Sequence, residues 1–262
     1  MNRLSLPPSA LDRFDEVAER LAAGIPAFFL DFDGTLSPLV ERPGDAAPLP
    51  AARRAVERLA ERLPVAVVSG RDREDVAARL DLPNLTYAGS HGFDVAGAPG
   101  TGLRYVVGEE AAPALAAATE DLAAALGGVD GAEIEPKRAT VAVHYRRVAA
   151  ERWPQVEAAV DSAVAAHGLR KGAGKRVWEL RPDLDWDKGK AILWLLEAME
   201  LGDDAVPLYV GDDVTDEDAF RALPEHGVGI RVASEPVETA AGWSLDGPEE
   251  VAELLERLAG VV

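Results

Sequence analysis

The sequence predicts an α/β protein: a doubly wound parallel sheet with an α+β unit inserted in it. Three observations carry this. Short apolar runs bounded by turn residues alternate with amphipathic helical segments in both outer parts of the chain. In the middle, strand patterns arrive in pairs rather than singly. The formal net charge of −19 falls almost entirely outside that middle stretch, which is close to neutral.

The first apolar run, Ala27–Phe32, reads as a buried parallel strand, because a strand covered on both faces loses the alternation of a half-exposed one. Val65–Val68, Leu85–Ala88, Leu208–Val210 and Gly227–Val232 read the same way. Pro50–Arg62 opens on a proline, whose fixed φ suits a first helical turn, and carries Ala55, Val56 and Leu59 at helical spacing. Arg73–Leu80, Lys188–Glu200, Asp216–Leu223 and Glu249–Leu258 are further helical segments. From about Gly102 to Pro182 the order becomes helix, two strands, helix, two strands. Ala111–Leu126 is rich in the best helix former. Ala132–Ile134 and Thr140–Tyr145 flank an expected turn at Glu135–Arg138, and Glu151–His167 is helical. Leu169–Lys171 and Arg176–Leu180 surround Gly172-Ala173-Gly174, a hairpin-turn sequence. The expected division is a core of residues 1–101 and 183–262 with an insert of 102–182.

A chain of 262 residues that is 48% hydrophobic can bury a real core. Its acidity opposes nucleic acid and anionic membranes as partners, and an anionic ligand needs local cations or a metal. The absence of cysteine excludes disulfides, zinc thiolate sites and cysteine nucleophiles. The N-terminus lacks a basic stretch followed by a long apolar run, and Ile25–Leu30 is short and ends at Asp31. A cytoplasmic protein is therefore expected. Nothing in the sequence sets an oligomeric state, and a monomer is compatible with it.

The chemistry concentrates in two acidic segments. Asp31-Phe32-Asp33-Gly34-Thr35 follows the first strand, at the sheet edge where α/β proteins bind ligands. At strand spacing Asp31 and Asp33 point the same way, and Gly34 permits a tight turn. Gly211-Asp212-Asp213-Val214-Thr215-Asp216-Glu217-Asp218 follows the strand ending at Val210. Carboxylates converging there need a cation between them, and an oxygen-only ligand set suits Mg²⁺. Each piece alone also has a plainer reading. An Asp-x-Asp-Gly run is a common turn, cap or calcium loop. Asp216–Asp218 suit a helix start, Ser69 and Arg71 suit a helix cap, and Lys188 suits a solvated surface. Together they form an ordered set of polar sites, each after a strand or at a helix start.

That ordered set, Asp31-Phe-Asp-Gly-Thr35, Ser69-Gly-Arg71, Lys188 and Gly211-Asp-Asp-Val-Thr-Asp216, resembles the haloacid dehalogenase superfamily of phosphatases across the whole chain. The resemblance implies a Rossmann-like core with an inserted cap. It also implies Asp31 as nucleophile, forming an aspartyl phosphate, and Asp33 as general acid and then base. Ser69 and Lys188 would bind phosphate oxygens. Mg²⁺ would sit on Asp31, the Asp33 carbonyl and Asp212, with Asp213 or Asp216 completing or orienting the shell. A phospho-receiver shares the acidic pocket but needs neither a second acid two residues on nor an inserted unit.

Further segments resemble those of trehalose 6-phosphate phosphatases: Thr35-Leu-Ser-Pro-Leu-Val40, Gly89-Ser-His-Gly92, Lys137 with His144-Tyr-Arg146, and Glu179-Leu-Arg-Pro182. This implies Glu135, Lys137, Arg146 and Glu179 as residues that hold the sugar, under a mobile cap that excludes water. It places Thr35, Arg71 and His91 on the substrate side; His91 also reads as a structural histidine or as one that orients the flap. Asp94 stands where that family often has Glu, and Trp186-Asp187 precede Lys188 where other polar residues are common. The alternative substrate is another sugar phosphate, such as a sucrose or glycosylglycerate phosphate.

Overall fold

A computed structural model describes residues 5–174 and 176–262. It divides into two compact units, one up to Tyr105 and from Trp186 to Val262, the other Val106–Asp185. In chain order the first unit begins with α1 (Phe14–Leu21), β1 (Ile25–Leu30), α2 (Pro50–Ala60), β2 (Val65–Val68), α3 (Arg73–Leu80), β3 (Thr86–Gly89), β4 (Asp94–Ala96) and β5 (Arg104–Val106). The second unit holds α4 (Ala112–Leu126), β6 (Glu133–Pro136), β7 (Val141–His144), α5 (Trp153–His167), β8 (Leu169–Gly174) and β9 (Val177–Pro182). The chain returns with α6 (Lys188–Ala198), β10 (Ala205–Gly211), α7 (Asp216–Ala222), β11 (Val228–Val232), β12 (Trp243–Leu245) and α8 (Pro248–Leu258).

The first unit is built on a sheet ordered β12-β11-β10-β1-β2-β3-β4-β5. From β12 to β3 neighbouring strands are parallel, and β4 turns back antiparallel to β3. The chain leaves β1 outward through β2 and β3, then restarts at β10 on the other side of β1. That reversal opens a crevice at the C-terminal strand ends, where ligands bind in this architecture. Both faces are covered. Phe28, Leu30, Leu208 and Val210 pack with Val17, Val56, Leu59 and Leu254 on one side. Phe29 and Tyr209 pack with Ile192, Leu195, Ala219 and Phe220 on the other. Burial on both faces is why these strands read as unbroken apolar runs.

The second unit is an antiparallel sheet, β6-β7-β9-β8. One face carries Val141, Val143 and Leu180 against Leu122, Val156 and Val160 of α4 and α5. Because side chains alternate along a strand, the row Glu135, Ala142, Glu179 and Gly172, aligned by the register, lies on the opposite face.

Several boundaries differ from the sequence reading. β5 pairs into the core sheet, so the second unit begins at Val106 rather than 102, and it ends at Asp185 rather than 182. β4, β5 and β12 have three residues each, too few to show a period. α1 is unanticipated; half of its eight residues are charged. Gly172-Ala173-Gly174 is strand, not turn, since each pairs in register with β9; Lys175, which follows, lies outside the described residues. Likewise β6 runs on through Pro136, and the turn is Lys137–Thr140, closed by Lys137 N–H to the Thr140 carbonyl at 2.9 Å. Proline is tolerated there because β6 is an edge strand. Among the described residues no helix is long and apolar enough to cross a membrane.

Candidate active site

β1 and β10 are neighbours, so the acidic segments after them emerge side by side. The Asp31 N–H donates to the Val210 carbonyl at 2.9 Å, extending the ladder one residue past β1. Asp31, Asp212 and Asp216 each offer a carboxylate oxygen, all within 4.8 Å of one another. Two glycines make room for this. A Cβ at Gly34, whose φ is +82°, would lie 2.2 Å from Asp212 Oδ2, and one at Gly211 would lie 2.3 Å from Asp216 Cγ.

Lys188, the first residue of α6, supplies a buried cation. Its Nζ donates to Asp31 Oδ1 at 2.9 Å and to Asp216 Oδ1 at 2.6 Å. The helix start is fixed by Asp187, whose side chain accepts the Lys190 N–H at 2.9 Å. Gly189 then lets α6 approach α7: a Cβ there would lie 2.3 Å from the Asp218 carbonyl. The Tyr209 hydroxyl also donates to Asp216 Oδ1 at 2.6 Å, and the Asp213 N–H donates to Oδ2 at 2.7 Å. Asp216 therefore has both lone pairs of Oδ1 committed, and it orders Lys188 and the Asp212–Asp213 loop.

The electrostatics follow. Burial pushes the Asp31 carboxyl well above the ordinary range; Lys188 opposes this, while Asp216 and Asp212 add to it. Burial acts the same way on Asp216, but the Lys188 charge and the hydrogen bonds from Lys188, Tyr209 and Asp213 outweigh it and hold Asp216 low. Burial would depress Lys188, yet Asp216 and Asp31 raise it well above its usual value. Three carboxylates against one ammonium leave a deficit of positive charge. The donor set is all oxygen, and the Asp212 carboxylate lies against the Gly34 turn. That set can hold a hard divalent cation.

The other expected residues fall in two places. Ser69 is buried just past β2, and its Oγ accepts the Arg71 N–H at 3.2 Å. The Ser69-Gly70-Arg71 turn is tied to the next one by His91 N–H to the Ser69 carbonyl at 2.8 Å and Ser90 N–H to the Arg71 carbonyl at 2.7 Å. The His91 ring packs over Gly70, where a Cβ would come within 2.8 Å of it. Thr35 is fully buried, and its hydroxyl has no hydrogen-bond partner among the described residues. The Asp33 side chain is not in the converging trio; Arg71 grips it from two nitrogens at 2.6 and 2.7 Å. The Asp213 side chain is also outside the trio, beside the Thr215 hydroxyl at 3.5 Å.

In the second unit, Glu179 is buried and its Oε1 accepts from Lys137 Nζ at 3.2 Å and Thr140 Oγ1 at 3.1 Å. Glu135 Oε2 lies 2.7 Å from His144 Nε2. Arg146 is exposed beyond the end of β7. Sequence reasoning passed over Tyr209 and Arg231, whose Nη1 donates to the Asp213 carbonyl at 2.6 Å. The available signal was a polar residue inside an otherwise apolar buried strand.

Comparison with known proteins agrees with this geometry. The trehalose-phosphatase family model matches residues 29–249. A trehalose-phosphate phosphatase of Mycobacterium tuberculosis (strain ATCC 25618 / H37Rv) is 47% identical over 262 residues, covering 98% of this chain and 67% of that protein. Among solved structures, the C-terminal domain of C. albicans trehalose-6-phosphate phosphatase superposes over 100% of both chains with a TM-score of 0.80 at 23% identity. A haloacid dehalogenase-like hydrolase from Bacteroides thetaiotaomicron covers 89% of this chain and 99% of its own with a TM-score of 0.65 at 18% identity. The doubly wound sheet with an inserted α+β unit is the fold of these haloacid dehalogenase-like structures, and here it carries three converging carboxylates at its switch point. Within that class, the sequence match over nearly the whole chain is decisive, and the chain belongs to the trehalose-phosphatase family.

Proposed function

We propose that the chain hydrolyses trehalose 6-phosphate to trehalose and phosphate, with Mg²⁺ as its metal and Asp31 as its nucleophile. The observation that carries this reading is the meeting of Asp31, Asp212 and Asp216 around Lys188 at the sheet's switch point. Asp31 and Asp212, with the Asp33 carbonyl, would hold Mg²⁺, and Asp216 would orient the shell. When bound, the ion supplies positive charge that lets a carboxylate approach a phosphate dianion.

Asp31 attacks phosphorus through a carboxylate oxygen, forming an aspartyl phosphate as the P–O bond to the sugar breaks. The departing sugar alkoxide is strongly basic and needs a proton, which Asp33 delivers. Asp33, now ionised, takes a proton from the water that hydrolyses the aspartyl phosphate. Lys188 and the Ser69 hydroxyl bind phosphate oxygens, and the Thr35 hydroxyl, buried without a hydrogen-bond partner among the described residues, supports the same role for Thr35. In the second unit, Glu135, Lys137, Arg146 and Glu179 read the sugar hydroxyls, since carboxylates accept paired hydrogen bonds from diols. We place that unit's role in substrate recognition.

Phosphate release from trehalose 6-phosphate, measured with Mg²⁺ and with a chelator, tests the reading. Mg²⁺-dependent turnover that far exceeds that of sucrose and glycosylglycerate phosphates is expected. Comparable rates across unrelated sugar phosphates would remove the trehalose assignment.

A further inference from the structure

The sequence reading puts Arg71 beside the substrate, but its guanidinium is occupied elsewhere. Nε donates to Asp33 Oδ2 at 2.6 Å and Nη2 to Asp33 Oδ1 at 2.7 Å, a two-point fork on one carboxylate. Nη2 also donates to the Pro43 carbonyl at 2.9 Å, and Nη1 to Asp75 Oδ2 at 2.9 Å. Asp75, on α3, is itself held one turn on by Arg79, whose Nε reaches its two oxygens at 2.9 and 2.8 Å. Arg79 Nη1 in turn donates to the Gly44 and Ala46 carbonyls at 3.0 and 2.6 Å. Burial works to raise the Asp75 carboxyl, but the hydrogen bonds from Arg79 and Arg71 outweigh it and hold it below the ordinary range.

Asp33 needs such a hold. It stands on the turn before Gly34, its side chain is 34% exposed, and among the described residues Arg71 is the group that bonds it. One hydrogen bond leaves a carboxylate free to rotate about its own axis, whereas two parallel ones fix its plane. Each oxygen keeps a second lone pair on the side away from the fork, so a proton can pass while the fork holds. An arginine on a long stem gives that plane only if its own far side is fixed. Asp75 and the Pro43 carbonyl fix it.

We infer that Asp75 is a positioning residue for proton transfer: through Arg71, it sets the plane in which Asp33 meets the leaving-group oxygen. The inference rests on the function proposed above. It is tested by comparing kcat/KM for trehalose 6-phosphate and for p-nitrophenyl phosphate in the full chain with Mg²⁺. Nitrophenolate departs without a proton and the sugar alkoxide does not, and kcat/KM covers the steps through that departure. In a variant that keeps the wild-type KM for trehalose 6-phosphate, a fall in the ratio therefore reports proton delivery, and a fall carried by KM would overturn the inference. Asp75→Asn should lower the sugar-to-aryl ratio about tenfold, the scale of a lost supporting contact. Arg71→Lys keeps the charge but loses the fork, and should lower the ratio at least as far. The double variant should be no worse than Arg71→Lys, because Asp75 acts only through Arg71. Equal losses on both substrates, or effects that multiply in the double variant, would overturn the inference and leave Asp75 a purely structural residue. If Asp75→Asn does not fold, Arg71→Lys decides: an unchanged ratio there overturns it equally. A wild-type chain inactive on every sugar phosphate would instead overturn the functional reading itself, before any variant is compared.

Discussion

Replacing Lys188 with methionine keeps the apolar stem and removes the ammonium from the centre of the acidic cluster. The side chains of Lys188, Asp31 and Asp216 are 2%, 6% and 0% exposed, so water does not take over its two hydrogen bonds. Removing one partner of a buried pair costs about 3–5 kcal/mol, because the other charge stays buried and unmatched. For a chain of this size each kcal/mol moves the melting temperature by about 2–4 °C, so Lys188→Met should melt roughly 6–20 °C below wild type in a chelator at pH 8. The penalty should depend on pH. A carboxyl raised in the folded state, as Asp31 is, contributes its stability below the ordinary carboxylate range and loses it as pH rises through the raised value. Without Lys188 to oppose burial, Asp31 rises further, so the variant's deficit should shrink toward pH 5 and grow toward pH 8. Mg²⁺ should restore more stability to the variant than to wild type, since it supplies the missing charge. Thermal melts of both proteins at pH 5 and pH 8, with chelator and with Mg²⁺, measure all of this. A variant melting within about 2 °C of wild type in chelator at pH 8 would refute the reasoning, as would a deficit indifferent to pH and metal.

Three further outcomes are expected. Gly34→Ala forces a Cβ to within 2.2 Å of Asp212 Oδ2 at a φ of +82°, so calorimetric Mg²⁺ affinity should fall at least about tenfold; unchanged affinity would show that the Gly34–Asp212 approach does not matter. Asp31→Asn should abolish phosphate release without lowering the melting temperature, because it removes a buried charge from a crowded site; a phosphoryl adduct trapped on another residue would reassign the nucleophile. Glu135→Ala should reduce kcat/KM for trehalose 6-phosphate far more than for an aryl phosphate, and equal losses would mean that Glu135 does not read the sugar.

The central strands were legible because burial on both faces writes itself as unbroken apolar runs such as Ala27–Leu30. The short edge strands were not: three residues such as Asp94–Ala96 carry no period, and their pairing is decided by the neighbour. The Gly172–Gly174 stretch has the composition of a turn, but the register from Leu169 opposite Pro182 keeps it in the strand. In the site, Asp31, Asp212, Asp216 and Lys188 were all named from the sequence, and the structure brings them together. Tyr209 was missed because a hydroxyl in an apolar strand reads as packing until its partner is known.

The sequence by itself determined which residue types follow which strands, and hence the class of fold and the acidic, oxygen-only character of the site. Those features are local, since strand period, glycine turns and carboxylate spacing depend on near neighbours in the chain. Only the tertiary structure decided that Lys188 joins Asp31 to Asp216 across 157 and 28 residues, and that Arg71 closes on Asp33 across 38. Such pairings depend on strand order and on how closely helices approach one another, and no stretch of sequence encodes either on its own.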